Sequence, residues 1–174
     1  MYKNQMDKKS MVFNNVTRML TSKKIPFELY ELPKEKLGSL KTAELLEVSI
    51  EKVCKTIVVK RNKPGKHILA VLPGNRIVNL KLIADFIGEK KVVLPTESEA
   101  ETITGLQAGG ISPLALINKG FQVLIDESVK KFEEIHISAG QRGLNLKIKT
   151  ENLIQLTNAK IAPISDIQKD IFDL

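Results

Sequence analysis

The sequence predicts an α+β (mixed α/β) fold: one domain in which a twisted, mixed, barrel-like β-sheet is flanked by short helices. Three observations predict it. Residues 53–60 and 67–72 are apolar runs that read as buried strands. Helical patterns recur between strand patterns, but each is short. No repeat, low-complexity stretch or linker divides the 174 residues, a length that supports one sizeable core.

The elements follow in order. Residues 1–11 are polar and basic and read as a flexible tail. From Val12 to Ser22, apolar Val12, Phe13, Val16, Met19 and Leu20 give an amphipathic helix. Ile25, Phe27 and Leu29 alternate, which predicts a strand to Leu32, followed by a charged loop from Pro33 to Ser39. Thr42 is expected to cap a short helix to Glu47. The two buried strands come next and end on a Pro73-Gly74-Asn75 turn. Asn79 caps a helix that stops at Gly88. A short strand at Lys91 to Leu94 precedes a helix opened by the capping box Thr96/Glu99 and running to Ile103. Beyond a glycine-rich loop, strands are expected near 121–125, 134–138 and 144–148. A helix capped by Thr150 runs to Leu156, and a last strand lies near 160–163. The domain therefore spans 12–166, with 167–174 as a C-terminal tail.

Composition narrows the function. Lys and Arg outnumber Asp and Glu by 27 to 20, giving a net charge of +7, and the lysines are dispersed along the chain. Dispersed positive charge attracts polyanions without specifying one. Zinc-finger spacing and a basic zipper are absent, which argues against DNA readout, and no strand is rich in aromatics as an RNA-recognition sheet is. No apolar stretch approaches the roughly 20 residues that a bilayer requires, and the N-terminus has no apolar core of a secretory signal. The single cysteine, Cys54, excludes an internal disulfide framework and fits a cytoplasmic location. Metal-ligand spacing, a Walker loop, a G-x-G-x-x-G motif and a nominable Ser/His/Asp triad are all missing, so neither metal nor cofactor is expected.

What remains is a small set of candidates. The stretch Gly105-Leu106-Gln107-Ala108-Gly109-Gly110-Ile111-Ser112-Pro113 reads either as a long turn or as a loop whose bare N–H groups form an oxyanion or anion site. Lys55 interrupts the first buried strand, on the face of Ile57 and Val59. A buried ammonium is costly unless paired, so Lys55 either marks function, opens the strand at its exposed start, or reaches water along its stem. Cys54 faces the other way and reads as a small core residue. The second glycine loop, Ser138-Ala139-Gly140-Gln141-Arg142-Gly143, is a hairpin turn or a ligand rim in which Ser138 hydrogen-bonds and Arg142 meets an anion. His67 and His136 stand alone on strands and read as structural. Asp126 is a turn cap or a polar group at a site rim.

Taken together, Lys55-Thr56-Ile57-Val58-Val59, Pro73-Gly74, Asn79-Leu80-Lys81, Thr104-Gly105, Gly109-Gly110-Ile111-Ser112-Pro113-Leu114, Ile125-Asp126 and Ser138 to Leu144 resemble, in this order, the YbaK/EbsC branch of the YbaK/ProX aminoacyl-tRNA editing proteins. The resemblance implies a trans-editing deacylase that removes wrongly attached amino acids from tRNA, Cys-tRNA(Pro) first, without metal or cofactor. It implies the aminoacylated 3′ end of mischarged tRNA as substrate and prolyl-tRNA synthetase as a working partner, with no membrane and no DNA. A non-catalytic tRNA- or nucleotide-binding module of the same fold is the alternative.

By the same resemblance, Lys55, Gly109 and Gly110 form the catalytic set. Thr56, Gly105, Ile111, Ser112, Pro113, Ser138, Gly140, Arg142 and Asn145 line the substrate site. The substrate's own thiol, or a water, would attack the ester. Two positions depart from the cysteine-clearing pattern. Asn145 stands where an aspartate is common, and Leu32 stands where an aromatic is common, with Tyr30 two residues earlier.

Overall fold

The computed structural model describes residues 14–169, so the expected tail at 1–11 lies outside the described residues, as do Val12 and Phe13. Five short helices and ten strands alternate in the order α1 (Asn15–Ser22), β1 (Phe27–Glu31), α2 (Gly38–Leu46), β2 (Cys54–Arg61), β3 (Ile68–Pro73), β4 (Arg76–Val78), α3 (Leu80–Ile87), β5 (Val92–Val93), α4 (Glu97–Thr104), β6 (Gln122–Asp126), β7 (Glu134–Ser138), β8 (Leu144–Lys149), α5 (Thr150–Thr157), β9 (Lys160–Ala162) and β10 (Ser165–Ile167). Three 3₁₀ turns, Ile50–Lys52, Pro113–Leu116 and Glu127–Lys131, complete it.

The helices start and stop for local reasons. Asn14 and Thr17 make a reciprocal capping box for α1, and Thr96 and Glu99 do the same for α4. Asn79 caps α3 through the Leu82 N–H, and Gly88 ends it at φ +73°, where a side chain is disfavoured. Two expected caps are not caps. Helix α2 begins at Gly38, before Thr42, whose hydroxyl instead donates back to the Gly38 carbonyl at 2.7 Å. Thr150 is the first helical residue of α5, and its hydroxyl donates to the Phe132 carbonyl at 2.6 Å. In both places a threonine hydroxyl found a backbone acceptor that local sequence does not reveal.

The expected mixed sheet is present as three open sheets, none closed: β1-β8-β7, β10-β4, and β5-β2-β3-β6-β9. In the largest, β2 and β3 run antiparallel while β3, β6 and β9 run parallel. Strand β2 shares its second edge between two partners. Its C-terminal end pairs with β5, and Val53, just before its first residue, bridges in parallel to His136 of β7. That bridge stitches the first sheet onto the third. Strands β4 and β10 are too short to have been read from the sequence; β10 runs to Ile167, one residue beyond the expected domain end.

Two apolar clusters hold these layers together. The larger buries Cys54, Val58, Leu69, Val71, Ile125, Ile135, Ile137, Leu146 and Ile148 between the first and third sheets, with Val16 and Leu20 of α1 closing it. The smaller packs Val59, Ile68, Ala70, Leu72 and Leu124 of the third sheet against Ile83 and Ala84 of α3. Buried Asp126 ties the ends of several elements. Its carboxylate accepts from Ile164 N–H at 3.0 Å and from Ser128 N–H at 3.1 Å, and lies 3.6 Å from Arg76 Nε. It is a cap, as one of the two readings held, and also a brace. Since Ile137 is fully buried in the larger cluster, Ile137→Ala is expected to lower unfolding free energy by about 2–5 kcal/mol in a denaturant titration.

Candidate functional site

The candidate residues gather where the sheet changes from a covered to an uncovered face. Cys54 and Val58 of β2 point into the larger core, whereas Ile57 and Val59 join the smaller one. Alternation therefore puts Lys55 on the side of Ile57 and Val59, as read from the sequence. The parallel bridge sets Val53 beside His136, so Val53 and Lys55 share the face of His136 and Ser138. The β7–β8 and β1–β8 registers extend that face through Ser138↔Asn145 and Tyr30↔Asn145. Lys55, Ser138, Asn145, His136 and Tyr30 thus occupy one polar face on four strands, β1, β2, β7 and β8.

Lys55 is half-buried and its Nζ lies 3.4 Å from the Gly74 carbonyl, and no carboxylate pairs with it among the described residues. Burial holds its pKa below the usual lysine value. The neighbouring Thr56 hydroxyl is buried and finds no partner. Thr56 lies on the opposite side of β2 from Lys55, so the two residues adjacent in sequence do not face one site.

The two glycine loops, read separately from the sequence, are one unit. Arg142 Nε donates to the Ala108 carbonyl at 2.5 Å. A Cβ on Gly110 would stand 2.8 Å from Arg142 N and from Gln141 C and Cα, so only glycine permits this approach. The Gly110 N–H donates to Gln107 O at 2.8 Å. Gly110 therefore provides closeness rather than the free donor expected of it. The loop is fixed from below by Glu101, whose carboxylate accepts the Ala108 N–H at 2.8 Å. Gly140 packs against Ala115 and Val16, which makes it a spacer on the core side.

Several other expected site residues do structural work. Gly105 ends α4 at φ +70° with nothing crowding it. Ser112 is fully buried, and its Oγ accepts the Leu114 N–H at 3.2 Å to start the 3₁₀ turn that Pro113 opens. Ile111 packs on the larger core. Ser138 Oγ accepts from Gly140 N–H at 3.2 Å, which leaves its own hydrogen to give away. Asn145 is buried and its Oδ1 lies 3.2 Å from His136 Nδ1. His136 is buried as expected, but its partner is a candidate site residue. Burial is the main reason its pKa falls below 6.5.

The sequence reading missed a strap over this region. Segment 32–39 passes three glycines in turn. A Cβ on Gly143 would meet Leu32 O and Lys34, one on Gly109 would lie 3.6 Å from Lys36 Cα, and one on Gly74 would stand 2.6 Å from Ser39 Cβ. The strap is held at Lys36 by an ion pair to Glu97. Its signal was three glycines sharing no local turn, visible only as a set. Two cavities lie elsewhere. One of 440 Å³ is lined by Arg61, Lys66, Phe121 and Lys160 among others, and one of 770 Å³ by Met19, Lys23 and Gln155 among others. The polar face unites a desolvated cation with polar side chains left to donate. No group of three or more His, Cys, Asp or Glu residues suited to a metal ion occurs among the described residues.

The glycines separate into two kinds, and substitution distinguishes them. Gly110→Ala forces backbone apart and is expected to cost about 1–3 kcal/mol and to shift the amide resonances of 140–143. Gly105→Ala meets only its positive φ and is expected to cost about 1 kcal/mol, leaving those resonances in place.

A profile of the aminoacyl-tRNA editing domain matches residues 36–156. The chain is 33% identical over 160 residues, 91% of its length and 96% of the relative's, to an Enterococcus faecalis protein provisionally named Cys-tRNA(Pro)/Cys-tRNA(Cys) deacylase EbsC. It is 28% identical over 109 residues, 63% of its length and 64% of the relative's, to the Escherichia coli multifunctional Ser/Thr-tRNA deacylase ProXp-y. A solved structure provisionally described as a trans-editing enzyme for prolyl-tRNA synthetase superposes with a TM-score of 0.72 at 18% identity, covering 89% of this chain and 99% of that one, which shows a common fold. With the profile spanning more than half of the chain and the EbsC relative aligned along nearly all of it, the protein belongs to the aminoacyl-tRNA editing domain family.

Proposed function

We propose that this protein is a trans-editing aminoacyl-tRNA deacylase that binds the aminoacylated 3′ end of a mischarged tRNA, with Cys-tRNA(Pro) as its first substrate. The observation that carries the reading is the half-buried ammonium of Lys55, which no carboxylate pairs among the described residues, on one sheet face with Ser138 and Asn145. Such a cation is costly to an empty protein and useful to an anionic or carbonyl-bearing ligand. Membership of the editing family supplies the substrate class.

In this reading Lys55 holds the phosphate or ribose end. The Gly109–Gly110 loop carries the ester close to the backbone, and Ser138 and Asn145 contact the aminoacyl group. The substrate thiol, or a water, attacks the ester carbon. A bond forms to sulfur or oxygen, the bond to the ribose oxygen breaks, and the attacker's proton passes to that oxygen. The site's contribution is proximity and preorganised polarity. Prolyl-tRNA synthetase is the natural companion in the cytoplasm, because a domain of this size has little surface with which to read tRNA identity.

Two measurements test this. Cys-tRNA(Pro), Ala-tRNA(Pro) and Pro-tRNA(Pro) are incubated with the protein and ester loss is followed. The mischarged esters should disappear and the cognate one persist; binding without loss of any ester would establish a non-catalytic module instead. Lys55→Met should lower the rate by about 100-fold, the scale of losing one preorganised charged group. It should not lower stability. The folded-state pKa of Lys55 is depressed, so the charged form is disfavoured by folding at neutral pH, and removing it relieves that penalty. Full activity in Lys55→Met would remove this lysine from the site. Affinity for tRNA should also fall steeply between about 50 and 200 mM salt, as expected where dispersed lysines meet phosphates; a flat response contradicts that role.

A further inference from the structure

We propose that His136 is a positioning residue that turns the Asn145 amide into a hydrogen-bond donor toward the bound aminoacyl group, which extends the site from thiol to hydroxyl side chains. This rests on the deacylase reading above. His136 Nδ1 and Asn145 Oδ1 are 3.2 Å apart, and both side chains are buried, at 3% and 6% exposure. An amide oxygen can only accept, so the imidazole nitrogen facing it must carry the hydrogen. With Oδ1 taken, the Nδ2 hydrogens are left, and no protein acceptor receives them among the described residues. Rotating the amide would set Nδ2 against Nδ1 and require the opposite tautomer, so ring and amide are fixed together.

The surroundings keep the ring in place. The Tyr30 ring meets it edge-on with centroids 5.3 Å apart, and the Tyr30 hydroxyl is engaged by Glu28 at 2.7 Å. Lys147 stands opposite His136 in the β7–β8 register and pairs with Glu28 and Glu134, at 3.3 and 3.6 Å. On the β2 side His136 meets Val53, with Lys55 two residues further along the face. Burial of the ring first, and Lys147 after it, oppose a charged imidazole, while Asn145, Glu28 and Glu134 favour one; burial wins and the pKa lies below 6.5.

The consequence is chemical. An N–H group pairs well with a hydroxyl oxygen and poorly with sulfur, whereas a leucine at 145 offers a hydrogen bond to neither. Serine and cysteine differ by that one atom, so their esters isolate the effect. Single-turnover hydrolysis of Ser-tRNA and Cys-tRNA, measured side by side, gives a serine-to-cysteine rate ratio for each variant. Asn145→Leu should lower that ratio about fivefold, the scale of one net hydrogen bond. His136→Gln keeps a donor facing Oδ1 and should hold the ratio near wild type; His136→Leu should lower it as Asn145→Leu does.

Nitrogen-15 NMR of the wild-type imidazole should show the Nδ1–H tautomer. An Nε2–H tautomer, or a ratio unmoved by Asn145→Leu, overturns the proposal. If His136→Leu fails to fold in a thermal melt, Asn145→Leu and the tautomer still decide. If the wild-type protein cleaves no aminoacyl ester at all, the deacylase reading falls and the selectivity claim with it. An unmoved ratio with esters still cleaved sinks only the role of His136 and Asn145.

Discussion

The site depends on one missing methyl group. Gly110 lies so close to the Gln141–Arg142 backbone that any Cβ would overlap three main-chain atoms. Because main-chain atoms cannot swing aside as a side-chain tip can, the α4 loop and the β7–β8 turn dock in a single arrangement. Arg142 reinforces it by reaching the Ala108 carbonyl, and Glu101 fixes Ala108 from the other side. Through that contact the loop after α4 is held in register with Ser138 and Asn145, which hang from the strands on either side of the turn. The same absence of side chains at Gly143 and Gly74 lets the 32–39 strap lie flat across the assembly.

A second constraint follows from the edge of β2. A strand can pair along two edges, and β2 gives one wholly to β3. The other goes to β5 at one end and, just ahead of the strand, to His136 of β7 at the other. Where α3 packs, the face beside that edge is apolar and sealed. Where β7 takes over, the same face carries polar side chains. Lys55 sits at this junction. Its stem shares the apolar side of Ile57 and its ammonium reaches the Gly74 carbonyl, which answers the sequence question of how a lysine enters a buried strand: it is half-buried, and only partly paired.

Much of the fold was legible because it is written locally. The caps of α3 and α4, the alternation in β1 and the apolar runs of β2 and β3 are each short-range patterns. What was not legible depends on pairing over distance. Strands β4 and β10 are three residues each and exist because they pair with each other across most of the chain. Thr42 and Thr150 look like caps until their actual acceptors, Gly38 and Phe132, are known. For the site, the sequence named Lys55, Ser138 and Asn145 but gave no reason for them to share a face; the Val53↔His136 bridge supplies it. It also grouped Thr56 with Lys55, which strand alternation places on opposite sides. The two loops named separately proved to be one because Gly110 and Arg142 recognise each other through backbone, which leaves no side-chain pattern to read.

Among the described residues, the cysteine and the serines nearest the candidate site are held in structural roles. The Cys54 thiol faces the core, where burial first and Asp126 second push its pKa up to about 12, far from a reactive thiolate. Ser112 is sealed in the interior as a cap, and Ser128 is bound to Asp126. Ser138 lies on the polar face but its oxygen already accepts from Gly140, and no base stands on its hydrogen among the described residues. His136, the one imidazole near it, turns its Nδ1 toward Asn145. A face with a cation, a spare hydroxyl donor and an amide, but no activated nucleophile, is suited to hold a substrate rather than attack it. The aminoacyl ester is itself reactive, so in the proposed function a substrate held with its ribose end on Lys55 and its side chain on Ser138 and Asn145 would be cleaved by a thiol of its own or by a nearby water.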